Sequence, residues 1–126
     1  MLSRRGFGLV VGAGAMAIAS TATAQASPVS FNVIDPTHPG AKCDTAYYKA
    51  SHIPLVMRVM GATRVTLIEG VARGATPAPY LMIAHFEFAS QAALDAGLAK
   101  PEMTALRADV AKFTDISPTT MFGKPL

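Results

Sequence analysis

The chain has 126 residues, one cysteine, no tryptophan, 51% hydrophobic side chains and a formal net charge of +3. Without Arg4 and Arg5 the balance is nine basic to eight acidic side chains, scattered along the chain, which excludes the basic patch a nucleic-acid partner needs. Cys43 has no second cysteine to pair with, so an internal disulfide is excluded too.

Residues 1–26 read as an export signal. Ser3-Arg4-Arg5-Gly6-Phe7 precedes a small-residue apolar stretch from Leu9 to about Ala19. Two small-x-small sites follow, Ala22-Thr23-Ala24 and Ala24-Gln25-Ala26. A basic start, apolar middle and small-residue end form the secretory layout, and the paired arginines resemble a twin-arginine signal. The apolar core is shorter than the roughly 20 residues a bilayer needs. Cleavage before Gln25 or Ser27 is expected, leaving a periplasmic or secreted domain over residues 27–126 with no membrane attachment. A domain of that size has a modest core, for which oligomerisation is a usual remedy.

The domain opens with Val29-Ser30-Phe31-Asn32-Val33-Ile34, which alternates as a first strand should. Asp35-Pro36-Thr37-His38-Pro39-Gly40 is a loop by composition. A helix then runs from about Asp44 to Met60, with Pro54 inside it and Gly61 as its stop. At 3.6 residues per turn, Asp44, Tyr48 and His52 share one face with Tyr47 beside them. Ala46, Ala50, Ile53 and Val56 lean toward an apolar face. A carboxylate, two phenols and an imidazole within reach of each other can position a ligand or move a proton. The same residues also read as an N-cap, two core-edge tyrosines and a carbonyl-bonded histidine, and the spacing leaves both readings open.

Arg64 to Ala72 is a second strand, and the Gly- and Pro-containing segment after it is a loop. Tyr80 to Phe88 is the strongest strand. Tyr80, Met82, Ala84, Phe86 and Phe88 share one face, and Leu81, Ile83, His85 and Glu87 the other. Both faces are largely apolar, so both are expected to be covered. Two helices cover one, and a second copy of the same sheet is the simple cover for the other. Ser90 caps a second helical region, in which Pro101 starts a new turn and Met103, Leu106, Val110 and Phe113 form the apolar stripe. Ile116 to Phe122 supplies a last strand, with Pro118 marking an edge or a bulge. The order strand, helix, strand, strand, helix, strand is the ferredoxin-like βαββαβ arrangement of the α+β class.

Four segments in this order carry a family resemblance. They are Asp44-x-x-Tyr47-Tyr48-x-x-x-His52-x-Pro54-Leu55, Pro79-Tyr80, Ala84-His85-Phe86, and Phe113-Thr114-Asp115-Ile116-x-Pro118. With them the chain resembles the EthD family of the dimeric α+β barrel superfamily over nearly all of the domain. The resemblance implies a homodimer whose sheets meet face to face, and a pocket between each sheet and its own helices. Carried over by position, it implies His52, His85 and Tyr48 as catalytic residues and Tyr47, Asp44 and Tyr80 as substrate-binding ones. Related barrels include cofactor-free oxygenases, lactone isomerases and haem enzymes, so the fold does not choose the chemistry.

Two functions follow. One is an oxidoreductase, of reductase or cofactor-independent oxygenase type, acting on a small apolar or aromatic metabolite. His52 or His85 would be its base, and a tyrosine would donate to a developing oxyanion. The other is a non-catalytic dimer that binds such a molecule or supports a partner enzyme. No cofactor and no metal are expected. No G-x-G-x-x-G follows a strand of the domain, and three histidines and one cysteine are too widely spread for a recognisable ligand cluster.

Overall fold

The computed structural model describes Gly12, Gly14 and residues 27–126. Apart from those two glycines, the signal reading of residues 1–26 lies outside the described residues. Strands β1 (Val29–Pro36), β2 (Arg64–Glu69), β3 (Tyr80–Phe88) and β4 (Thr119–Gly123) form one sheet in the order β2-β3-β1-β4. All three pairings are antiparallel. The first helical region is α1 (Thr45–Tyr47), a π turn (Tyr48–His52) and α2 (Ile53–Met60). The second is α3 (Gln91–Leu98), α4 (Met103–Asp109) and a 3₁₀ turn (Val110–Lys112). This is the expected ferredoxin-like α+β fold.

Side chains alternate across a strand, so the register decides what each face carries. Phe31 lies opposite Phe86, Val33 opposite Ala84 and Asp35 opposite Met82. These point toward the helices, where Met82, Ala84, Phe86 and Phe88 are buried with Val56, Met60, Leu94, Leu106 and Phe113. Asn32 opposite His85 and Ile34 opposite Ile83 occupy the outer face. There Ile68 and Met121 remain half exposed.

Several strand ends differ from the sequence reading, and β2 stops at Glu69 rather than Ala72. β1 runs on through Pro36 instead of giving way to a loop at Asp35, because a shift in register between Asp35 and Pro36 accommodates the proline. β4 begins at Thr119 rather than Ile116, since Pro118 has no N–H to give a ladder.

The first helix departs from the expected single α-helix. An α-helical Pro54 would press its ring against the carbonyl of Ala50 and leave that carbonyl without a donor. One π turn widens the helix just ahead of it, with the Ile53 N–H bonded to the Tyr48 carbonyl. The extra residue shifts the helical phase. Tyr48, His52, Ile53 and Val56 become buried together, while Ala46 and Ala50, expected on the apolar face, are exposed. Gly61 ends the helix as expected, at φ 75° in the left-handed region.

The two helical regions touch at a glycine. Gly97 is buried within α3, and a Cβ there would lie 2.3 Å from the Met60 carbonyl oxygen. An alanine in a helix ordinarily gains about 1 kcal/mol over glycine. Here the backbone collision outweighs it, so Gly97→Ala is expected to destabilise the fold by about 1–3 kcal/mol. Chemical denaturation checks this, and a variant as stable as the parent would show that the helices can move apart freely.

Candidate functional site

Between the helices and the β1–β4 half of the sheet lies a cavity of about 360 Å³, within the range of small-molecule sites. Phe31 and Val33 of β1, Ile53 and Val56 of α2, and Leu106 and Phe113 line much of it. The β4 edge adds Thr120 and Phe122; Phe122 is 58% exposed and stacks on Phe31 with centroids 5.4 Å apart. The walls are apolar, and the polar exceptions among them carry the chemistry.

His52 is placed here by the π turn and is 7% exposed. Its ring packs on Tyr48 at 5.8 Å and on Phe113 at 4.6 Å. Nδ1 lies 2.9 Å from Oδ2 of Asp109. An ionised carboxylate only accepts, so Nδ1 carries the hydrogen and Nε2 is the free acceptor. Among the described residues every fully buried side-chain nitrogen and oxygen has a partner. Nε2 has none from the protein, so it keeps some accessibility, and His52 lines the cavity.

Asp109 is held on its other oxygen. Oδ1 accepts from the Tyr47 hydroxyl at 2.8 Å, and the Lys112 ammonium stands 3.3 Å away. Burial alone would raise the Asp109 carboxyl, but the hydrogen bonds from His52, Tyr47 and Lys112 outweigh it and hold the group below the usual carboxylate range. A carboxylate held ionised at neutral pH therefore fixes the tautomer and orientation of His52. That is the arrangement by which a histidine serves as a general base.

Tyr48 also lines the cavity and is 4% exposed. Burial first, then the nearby Asp35 and Cys43, push its phenol up, so it stays a neutral hydroxyl. It can donate to an oxygen on a bound molecule.

The remaining candidates separate. Tyr47 does not line the cavity; its hydroxyl is spent on Asp109, which raises its own pKa. Asp44 is exposed and caps α1, with Oδ1 accepting from the Tyr47 N–H at 3.0 Å. The π turn breaks the phase that would have stacked Asp44 above Tyr48 and His52. Tyr80 opens β3 at 48% exposure and lines a separate groove with Val71 and Pro79. His85 lies on the outer sheet face, because its strand position is odd where Met82, Ala84 and Phe86 are even. Its Nδ1 donates to Asn32 Oδ1 at 2.6 Å, and Nε2 stands 3.8 Å from Glu87. His52 and His85 therefore cannot serve one pocket within this chain.

Two site residues escaped the sequence reading. Asp109 lies three residues after Leu106 and four before Phe113, which places a carboxylate within the apolar stripe. Asp35 continues the alternation of Phe31 and Val33 onto the cavity side. Both signals were in the pattern, one hidden by the stripe and the other by a proline-rich loop composition. Among the described residues no three His, Cys, Asp or Glu side chains come together as metal ligands would.

The model of the EthD domain family matches residues 43–117. An EthD-like protein of Ralstonia eutropha JMP134 is 25% identical with a TM-score of 0.72, over 79% of this chain and 92% of that one. An EthD family protein of Bacillus halodurans C-125 is 16% identical with a TM-score of 0.63, over 79% and 99%. SnoaB, a cofactor-independent oxygenase of Streptomyces nogalater, shares the fold at 14% identity and a TM-score of 0.57, over 80% and 95%. No curated protein sequence matches. The family match spans both helical regions, β2, β3 and the His52–Asp109 pair, and the chain belongs to the EthD domain family.

Proposed function

We propose that the protein is an exported enzyme that removes a proton from a small apolar or aromatic molecule, with His52 as the base. The observation that carries this is the His52–Asp109 bond, which holds a cavity-lining imidazole by Nδ1 and leaves Nε2 without a protein partner. Tyr48 donates to the oxygen on which charge develops. Of the oxidoreductase types, the cofactor-independent oxygenase is the one a lone base without a cofactor could serve, and the fold is shared with SnoaB, which is named as such an oxygenase. The reductase type has no residue to support it.

Solution NMR in deuterium oxide tests the proton transfer. β-Tetralone and acetophenone, two small enolisable aryl ketones, are followed for loss of the α-C–H signal with and without protein, under air and under argon. Faster exchange is expected, and oxygen uptake in air would mark the oxygenase outcome. Neither binding nor exchange of either ketone would overturn the reading. Binding without exchange would favour the non-catalytic alternative.

The protein is also proposed to be a homodimer joined through its outer sheet face, where Ile34, Ile68, Ile83 and Met121 lie uncovered by the helices. Ile68 and Met121 are 50% and 54% exposed. Sedimentation of residues 27–126 is expected to give a dimer, and Ile68→Lys with Met121→Lys a monomer. A monomeric parent would remove the face-to-face pairing. Export rests on the Arg4-Arg5 signal pattern; recovery of an uncleaved chain from washed membranes would count against it.

A further inference from the structure

Among the described residues Asp35 is the one buried carboxylate that the protein leaves without a hydrogen-bond partner. Of the five buried polar side chains among the described residues, Ser30 and Asn32 bond each other, and His52 and Asp109 bond each other. Asp35 is 6% exposed, lines the same cavity as His52 and Tyr48, and takes no hydrogen bond. Since no fully buried oxygen lacks a partner, its carboxyl oxygens keep some accessibility, and the residue lines the cavity. Burial raises this carboxyl above its ordinary range, an effect that His52 opposes only when it is protonated. A buried, unpartnered carboxyl is a standing cost to the fold, and such groups are retained where something else meets them. The register shift beside it, between Asp35 and Pro36, sits where bulges commonly aim a side chain into a site.

We propose that Asp35 is the second proton-transfer group of this cavity, receiving the oxygen of an enolisable ketone whose α-carbon faces His52. This rests on the reading of His52 as the base. In the forward step His52 Nε2 takes the α-proton. The C–H electron pair becomes the C=C bond, the C=O π pair moves onto oxygen, and the Asp35 carboxylic acid gives that oxygen its proton. The products are the enol, an imidazolium and the Asp35 carboxylate. In the return step the Asp35 carboxylate takes back the enol O–H proton, the C=O bond re-forms and the imidazolium protonates the α-carbon, which restores both groups with no oxidant or reductant consumed. The ligand class is thus an apolar molecule with a single carbonyl or enol oxygen, its body against Phe31 and Phe113 and its oxygen between Asp35 and Tyr48. His52, Tyr48 and Cys43 are the titratable groups around Asp35, with Arg107 also on the cavity lining.

Asp35→Asn tests this, with β-tetralone as probe and His52→Ala as control. A carboxyl whose folded pKa is raised costs stability above its unfolded pKa, near 3.9, and the cost grows as pH rises through the folded value. The amide removes that cost. The variant is therefore expected to melt at a higher temperature than the parent at pH 7, with the gain gone below about pH 4, while kcat for exchange falls about 10²-fold and KM changes little. A lower Tm would make Asp35 a structural residue and overturn the proposal. Undiminished exchange in Asp35→Asn, with His52→Ala inactive, would overturn it and leave the base intact. Undiminished exchange in both, or none in the parent, would overturn it together with the reading it rests on.

Discussion

His52→Ala is expected to lower the rate of proton exchange from a bound aryl ketone by about 10²–10⁴-fold, the contribution of a positioned general base. The imidazole is the only group in the cavity held ready to accept. Tyr48 is a phenol kept neutral by burial, and Asp35 is a carboxyl pushed upward by burial. Alanine also leaves Asp109 without one of its hydrogen bonds, a loss of about 1–3 kcal/mol in stability. A falling rate could then reflect a loosened fold. His52→Gln separates the two effects, because a glutamine amide can donate to Asp109 but cannot serve as a base. The Gln variant is expected to recover most of the stability and none of the exchange. Exchange that survives in a stable Gln variant would move the base elsewhere.

Asp109→Asn is expected to reduce kcat by about 10²-fold or more while leaving KM nearly unchanged. The carboxylate accepts from Nδ1 and so keeps Nε2 free. A carboxamide offers an N–H as well, which lets His52 accept on Nδ1 and carry its hydrogen on Nε2, the wrong tautomer for a base. The same residue sets an acid limit. Its folded pKa lies below its unfolded one, so its stabilisation is present above about pH 4 and is lost as pH falls through the folded value. Thermal melts from pH 6 down to pH 2 should show that component in the parent and lack it in Asp109→Asn. Equal acid sensitivity in the two proteins would mean that other carboxylates govern the acid transition.

Much of this was legible in one dimension. The period-two runs at Val29–Ile34 and Tyr80–Phe88 and the helical stripe from Met103 to Phe113 gave the element order, and that order has few compact solutions. Gly61 and Ser90 marked helix ends through local chemistry, a left-handed φ and a side-chain cap. The spacing of Tyr48 and His52 identified half of the site. It grouped Asp44 with them because a uniform 3.6-residue helix was assumed, and the π turn ahead of Pro54 removes Asp44 from that face. His85 joined the group through the family resemblance, although the parity of β3, already visible in the sequence, sends it to the opposite side of the sheet.

The sequence by itself determined the fold class, the helix that carries His52 and the apolar character of both sheet faces, because these depend on periodicity and local backbone preference. Only the tertiary structure decided which groups meet. His52 and Asp109 are 57 residues apart and touch because α4 lies across α2 above the sheet. Asp35 faces them because the register of β1 and β3 turns it toward the helices. Contacts between distant segments depend on packing and register, which local propensity does not encode.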